Sequence, residues 1–347
     1  MNTKELEIDF NKTTDNQVSG PKKKSLYQIS FLRVVASLTV CLGHFTCGIN
    51  GFLPNDNPIV SVFYYGKFGV HVFFVISGFI ICYSLPPNYS IKNFFIFLKK
   101  RLIRVEPPYL LSIVLTLLAA YMAAHVTKNH VVFSWEILLY HIGYINNLIP
   151  NCYYFNPVYW TLGIEFQFYI IIGLIFGLMN KSVYWLAAII LCFLALSYIK
   201  VPHTDLILNY LPVFCMGILA YFYMCKKEYS RSVLISLAVI TLGVMLFGSI
   251  PALLITLFTV VVIFIPFKKN KIITFLSNIS YSLYLVHLPI GGRIVNMSVK
   301  YLKNDMQRYL VIALAVTLSI VAAYIFYLAI EKWTTRLSKK ISYSSAN

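Results

Sequence analysis

Apolar runs long enough to cross a bilayer recur along almost the whole chain, and they restrict its fold more than any other feature. They lie near residues 28 to 48, 67 to 85, 107 to 125, 158 to 179, 183 to 199, 206 to 224, 232 to 248, 251 to 267, 276 to 294 and 309 to 330. Each is close to the ~20 residues that a membrane-spanning helix needs. In hydrocarbon a helix satisfies every backbone N–H and C=O within its own segment, so runs of this kind are expected to be helical. The expected fold is all-α, a polytopic membrane bundle of about ten transmembrane helices.

An eleventh run, WEILLYHIGYINNLI at 135 to 149, is short and carries His141, Asn146 and Asn147. Charge decides its place. With the N-terminus inside, ten crossings put Lys22 to Lys24, Lys92 to Arg104, Lys181, Lys226 to Arg231, Lys268 to Lys271 and Lys332 to Lys340 in the cytoplasm, as the positive-inside rule requires. The loop with Lys300, Lys303 and Arg308 is the exception, partly offset by Asp305. Counting 135 to 149 as a crossing would move every later basic cluster outside, so this segment is expected to be interfacial or re-entrant. Both termini are then cytoplasmic and the protein sits in the cell membrane. Residues 1–26 read as a flexible polar tail, 27–335 as the membrane domain and 336–347 as a second tail.

Composition agrees. A hydrophobic fraction of 59% and a mean hydropathy of +0.73 exclude an ordinary soluble domain. The formal charge of +17 raises the question of nucleic acid, but the cations fall in short clusters between apolar runs, so no nucleic-acid partner is expected. The seven cysteines show no metal-ligand spacing, and no metal is expected. Cys47 and Cys152 are the one pair placed to meet near the outer face as a disulfide.

Within this frame the ionisable residues inside apolar runs are the functional candidates, because a charge in the bilayer is expensive and usually faces a bundle interior. Arg33 and His44 share the first run. Eleven residues is close to three helical turns, so they share a face, roughly 16 Å apart along the axis. Arg101 and Arg104 lie one turn apart, beside Lys99 and Lys100. They suit the bidentate binding of phosphate, or simply the anchoring of a basic loop. Pro107-Pro108 is expected to end any helix that precedes it, which would set the arginines on a separate turn. His44 is either a hydrogen-bonded structural residue or a general base working near neutral pH. Glu165, placed by depth at the level of His44, has three readings: orienting partner of the imidazole, ligand of acceptor hydroxyls, or counter-ion of a buried cation. Trp160 is a membrane anchor or a sugar-stacking platform, and His287 a structural residue or a second base. Ser77-Gly78 read as close helix packing.

Five segments carry a resemblance. LRVVASLTVCLGHF, FGVHVFFVISGFII, KKRLIRVEPPYLL, WTLGIEFQFY and ISYSLYLVHLPI occur in this order between residues 32 and 290. Together they resemble the acyltransferase 3 family, integral membrane enzymes that move acyl groups from cytoplasmic acyl-CoA onto extracytoplasmic glycans and related acceptors. His71 and Val105-Glu106 depart from the family pattern and leave the acceptor open. The resemblance implies an acyl-CoA, most simply acetyl-CoA, as co-substrate, and a hydroxyl of a surface glycan or lipid-linked saccharide as acceptor. It implies His44, Glu165 and Arg33 as catalytic residues, Arg33, Arg101 and Arg104 as donor-binding residues, and Glu165, Trp160 and His287 as acceptor-binding residues. A transporter or flippase of a polar or anionic substrate would use the same charges as a translocation path; the absence of an internal repeat favours the enzyme.

Overall fold

The computed structural model describes residues 26–48, 52–54, 56–128 and 130–343, so Lys22 to Lys24 and most of the expected N-terminal tail lie outside it. Every regular element among the described residues is a helix, and there is no strand. In chain order the helices are α1 (Tyr27–Thr46), α2 (Pro58–Phe63), α3 (Gly69–Ser84), α4 (Phe94–Thr127), α5 (Trp135–Ile142), α6 (Trp160–Met179), α7 (Val183–Leu196), α8 (Leu211–Cys225), α9 (Arg231–Leu246) and α10 (Ile250–Phe264). There follow α11 (Lys271–Asn278), α12 (Ser280–His287), α13 (Arg293–Ser298), α14 (Asp305–Phe326) and α15 (Lys332–Lys340).

Six helical stretches are long and apolar enough to span a bilayer, or seven if the bent unit Lys271–Asn278 plus Ser280–Ser298 is one span. This is a multi-pass membrane protein. The remaining apolar helices, α7, α9 and α10, have 14, 16 and 15 residues. At 1.5 Å per residue they reach ~21–24 Å, less than the ~30 Å hydrocarbon core. The uninterrupted span expected at 276 to 294 is instead bent by 51° at Ile279. α5 has eight residues, about 12 Å of helix, too short to cross.

Two sets of loops meet at opposite ends of the bundle. At one, Gln28 donates to the Ile263 carbonyl (3.2 Å), Asn180 to that of Pro87 (2.9 Å), Tyr229 to that of Met179 (2.8 Å), and Ser338 to that of Lys100 (2.9 Å). These contacts gather the basic clusters around Lys99, Lys181, Lys226, Lys268 and Lys339 at a single end. At the other, Asn57 donates to Asp305 (3.2 Å) and Tyr309 (2.7 Å), Asn147 to the Asp205 carbonyl (2.9 Å), and Tyr154 to Asp205 (2.9 Å). Arg308, at this second end, is paired with Asp305 at 2.8 Å.

Close backbone approach holds α3 on α8. A Cβ on Gly78 would meet the Phe214 carbonyl oxygen at 2.4 Å, and one on Gly217 would meet that of Val75 at 2.1 Å. Without a hydrophobic drive between helices in lipid, such small-residue contacts supply the van der Waals packing. Cys47 and Cys152 are both free thiols.

Candidate active site

α1 carries Arg33 and α4 carries Arg101 and Arg104 into one cavity of about 270 Å³, whose walls also include Ser77, Glu165, Tyr169, Tyr281 and Glu331. α4 does not break at Pro107-Pro108. It runs as one helix of 34 residues with both prolines inside, so the arginines share the helix of the third apolar run rather than a separate turn. Proline at 108 removes the N–H that the Arg104 carbonyl would accept. Thr334 Oγ1 donates to that carbonyl instead (3.4 Å), and Tyr281 donates to the neighbouring Val105 carbonyl (3.0 Å). A side chain from α15 thus takes up the acceptor that Pro108 leaves without its donor, and the helix continues.

Among the described residues the three guanidiniums have no direct counter-ion. Arg101 donates to Ser84 Oγ and lies over the rings of Phe97 and Tyr169. Among the described residues no carboxylate oxygen comes within 4 Å of any of the three. Glu165 and Glu331 act on Arg33 only from further off. Each carboxylate is held by neutral donors: Glu165 accepts from Ser77 (3.0 Å) and Tyr169 (2.6 Å), Glu331 from the Ser282 hydroxyl (2.5 Å) and backbone N–H (3.2 Å). A carboxylate neutralised by a direct salt bridge would have blanked an arginine; these leave the guanidinium N–H groups facing the cavity.

Glu165 therefore does not orient His44. Equal depth in two helices says nothing of the direction in which each side chain points, and α6 aims Glu165 at α3 and at the arginines. The partner of His44 is His287, at 2.9 Å from Nδ1 to Nε2, with the rings stacked at 5.1 Å. Hydrogen-bond chemistry fixes the neutral tautomers. His287 Nδ1 lies 3.0 Å from the Leu283 carbonyl, which only accepts, so Nδ1 carries the proton and Nε2 is a lone pair. His44 Nδ1–H must then donate to it, which leaves the lone pair of His44 on Nε2, where a base needs it.

His287 closes α12, immediately before a π turn over Leu288–Gly292. The turn packs tightly enough that a Cβ on Gly291 would meet Phe45 at 2.3 Å and Ser319 Oγ at 2.4 Å. This wider turn seats the end of α12 against α1 and α14, the kind of local departure that π turns make at functional sites.

Neither histidine lines the cavity. Phe73 and Tyr284, whose rings are in edge contact at 5.6 Å, both do, and the Tyr284 ring lies 6.2 Å from His287. The Tyr284 ring, with Phe73 against it, links the wall of the arginine chamber to the imidazole pair. Trp160 sits outside the cavity, behind Phe74 and against Tyr210.

Glu331 and the pairing of Ser77 with Glu165 were not legible in sequence. The signal for Glu331 was a lone carboxylate at the end of the last apolar run, but Lys332 follows it and the pair reads as part of a basic tail. A π turn over Tyr327–Glu331 joins α14 to α15 and delivers Glu331 to Ser282. The expected tail boundary at 336 falls within α15, which packs along α4.

No solved structure matches the chain. A protein of Acidianus two-tailed virus named "Putative acetyltransferase ORF330" is 27% identical over 75% of this chain and 82% of its own length. The profile of the acyltransferase 3 family, described as an acyltransferase domain, matches residues 26–328. The match takes in the helices bearing Arg33, His44, Arg101, Arg104, Glu165 and His287, and the chain belongs to the acyltransferase 3 family.

Proposed function

We propose that the protein is an acyl-CoA-dependent O-acyltransferase, taking an acyl group, acetyl first of all, from cytoplasmic acyl-CoA to a hydroxyl of an extracytoplasmic glycan or lipid-linked saccharide. The observation that carries this reading is the set of three guanidiniums in one cavity with no carboxylate of the described residues within 4 Å. Guanidinium forks suit phosphate oxygens, and CoA brings a diphosphate and a 3′-phosphate. On this reading the chain crosses the cell membrane ten times with both termini in the cytoplasm, and its basic end is the cytoplasmic one.

Arg33, Arg101 and Arg104 hold the diphosphate. The pantetheine arm runs toward His44, over the ~16 Å that separates the two levels of α1. His44 Nε2 takes the acceptor hydroxyl proton as that oxygen attacks the thioester carbonyl. The C–O bond forms, the C–S bond breaks, and the departing thiolate takes the proton from the imidazolium to leave as CoA thiol. His287 stabilises the imidazolium by accepting from its Nδ1–H. Phe73 and Tyr284 move aside for the loaded donor and otherwise keep water from the thioester. Glu165 and Glu331 set the charge around the arginines.

Mass spectrometry of surface glycans from a deletion strain, complemented with the wild type or with His44→Ala, tests this. A mass difference of one acyl group, restored only by the wild type, is the expected result. Identical glycans in all strains, or full restoration by a stably inserted His44→Ala protein, would overturn it.

A further inference from the structure

With the diphosphate on the arginines and the pantetheine arm directed at His44, the 3′-phosphoadenosine part of the donor must lie beyond Arg101, at the basic end. The last described residues of the chain lie there. After α15 the backbone turns extended at Ile341 (φ −76°, ψ 114°), and the Ile341 carbonyl accepts from Lys100 Nζ. Tyr343 then folds back over α4, with Lys100 Nζ 5.2 Å from its ring. It touches Tyr89, which is anchored by a hydrogen bond to the Gly173 carbonyl (2.7 Å).

From Tyr343 a row of rings leads to the arginines. Tyr343 to Tyr89 is 6.3 Å, Tyr89 to Phe97 is 6.2 Å, and Arg101 lies 5.5 Å from Phe97. Two rings, Tyr89 and Phe97, thus stand between Tyr343 and Arg101, whose charge still reaches the Tyr343 hydroxyl. Tyr343 is half-buried with Lys100 at its ring, and Lys99, Lys339 and Lys340 in the adjoining parts of α4 and α15 are exposed. A flat ring flanked by cations, just outside a diphosphate site, is the chemistry that a purine bearing a phosphate needs. Bases stack on aromatic rings whatever their sequence, and ammonium groups hold phosphate as point charges.

We propose that Ile341–Tyr343 and Lys100 form the nucleotide subsite of the donor. The Tyr343 ring is the stacking surface for the adenine, and Lys100, with Lys99, binds the 3′-phosphate. The subsite rests on the acyl-CoA reading above. It assigns to the C-terminal segment, beyond the residues shared with the family, a direct part in holding the donor.

The test is binding of CoA, 3′-dephospho-CoA and 4′-phosphopantetheine to the full-length protein in lipid nanodiscs. Tyr343→Ala should weaken CoA binding about tenfold, the order of one lost base-stacking contact, and leave 4′-phosphopantetheine binding unchanged. Tyr343→Phe should retain CoA affinity. Lys100→Ala should weaken CoA and spare 3′-dephospho-CoA. Equal losses for CoA and 4′-phosphopantetheine, no loss, or tighter CoA binding by Tyr343→Ala or by a chain ending at Lys340 would overturn the subsite. The last outcome would make the segment a plug over the mouth. A wild-type protein that binds no CoA removes the donor reading itself, whereas wild-type binding with unaffected variants removes only the subsite.

Discussion

Replacing His287 tests the imidazole pair directly. The hydrogen bond from His44 Nδ1 to His287 Nε2 is 2.9 Å long, and His287 is 1% exposed, so water does not substitute for it. In the ground state the bond joins two neutral rings. In the transition state His44 is cationic, and a bond to a charged partner is worth about 1.5–3 kcal/mol against about 1 for a neutral one. Only the difference, about 0.5–2 kcal/mol, acts on the chemical step, so His287→Ala should lower kcat about 2- to 30-fold, at 1.4 kcal/mol per tenfold, with the KM for the acyl donor unchanged. Gln places an amide oxygen near the former Nε2, so His287→Gln should recover most of the lost rate. Ala also leaves a void beside Phe45 and Tyr284, at a cost of about 2–4 kcal/mol in stability. Turnover must therefore be measured on folded protein, normalised by thermal melting in detergent. An unchanged kcat in His287→Ala, or a Gln variant as slow as Ala at equal stability, would refute the relay and return His287 to a packing role.

The arginine cavity predicts a different pattern. Arg104→Ala should raise the donor KM by about 1.5–3 kcal/mol, the value of one charge-assisted contact, with a smaller effect on kcat; an unchanged donor affinity would reduce the Arg-x-x-Arg pair to membrane anchoring. Phe73→Ala should open the chamber toward the histidines and raise the rate of donor hydrolysis in the absence of acceptor, read as thiol release; no increase would deny Phe73 and Tyr284 a sealing role. Gly217→Leu should prevent α3 and α8 from packing, since even a Cβ would come within 2.1 Å of the Val75 carbonyl oxygen, and should be seen as loss of folded protein on size exclusion. With the native cysteines replaced, a cysteine at Ser230 should be labelled from the cytoplasm and one at Asn304 from outside; both residues are exposed. Reversed labelling would invert the path proposed for donor and acceptor.

By itself the sequence determined the helices and the spacings within them. Lipid leaves a long apolar run little choice but a helix. The rise and twist of that helix then fix Arg33 and His44 on one face and Arg101 and Arg104 one turn apart, whatever surrounds them. Tertiary structure decided everything that passes between helices. Whether Pro107-Pro108 breaks α4 depends on Thr334, which comes from 230 positions away to satisfy the carbonyl that Pro108 leaves without a donor. Depth along an axis is legible in a sequence but rotation about it is not, so Glu165 reads as a partner of His44 when α6 turns it toward Ser77, Tyr169 and the arginines. His287 and Glu331 reach His44 and Ser282 because a π turn adjoins each of them. Such a turn is set by the packing of neighbouring helices and leaves no period in the sequence from which to read it.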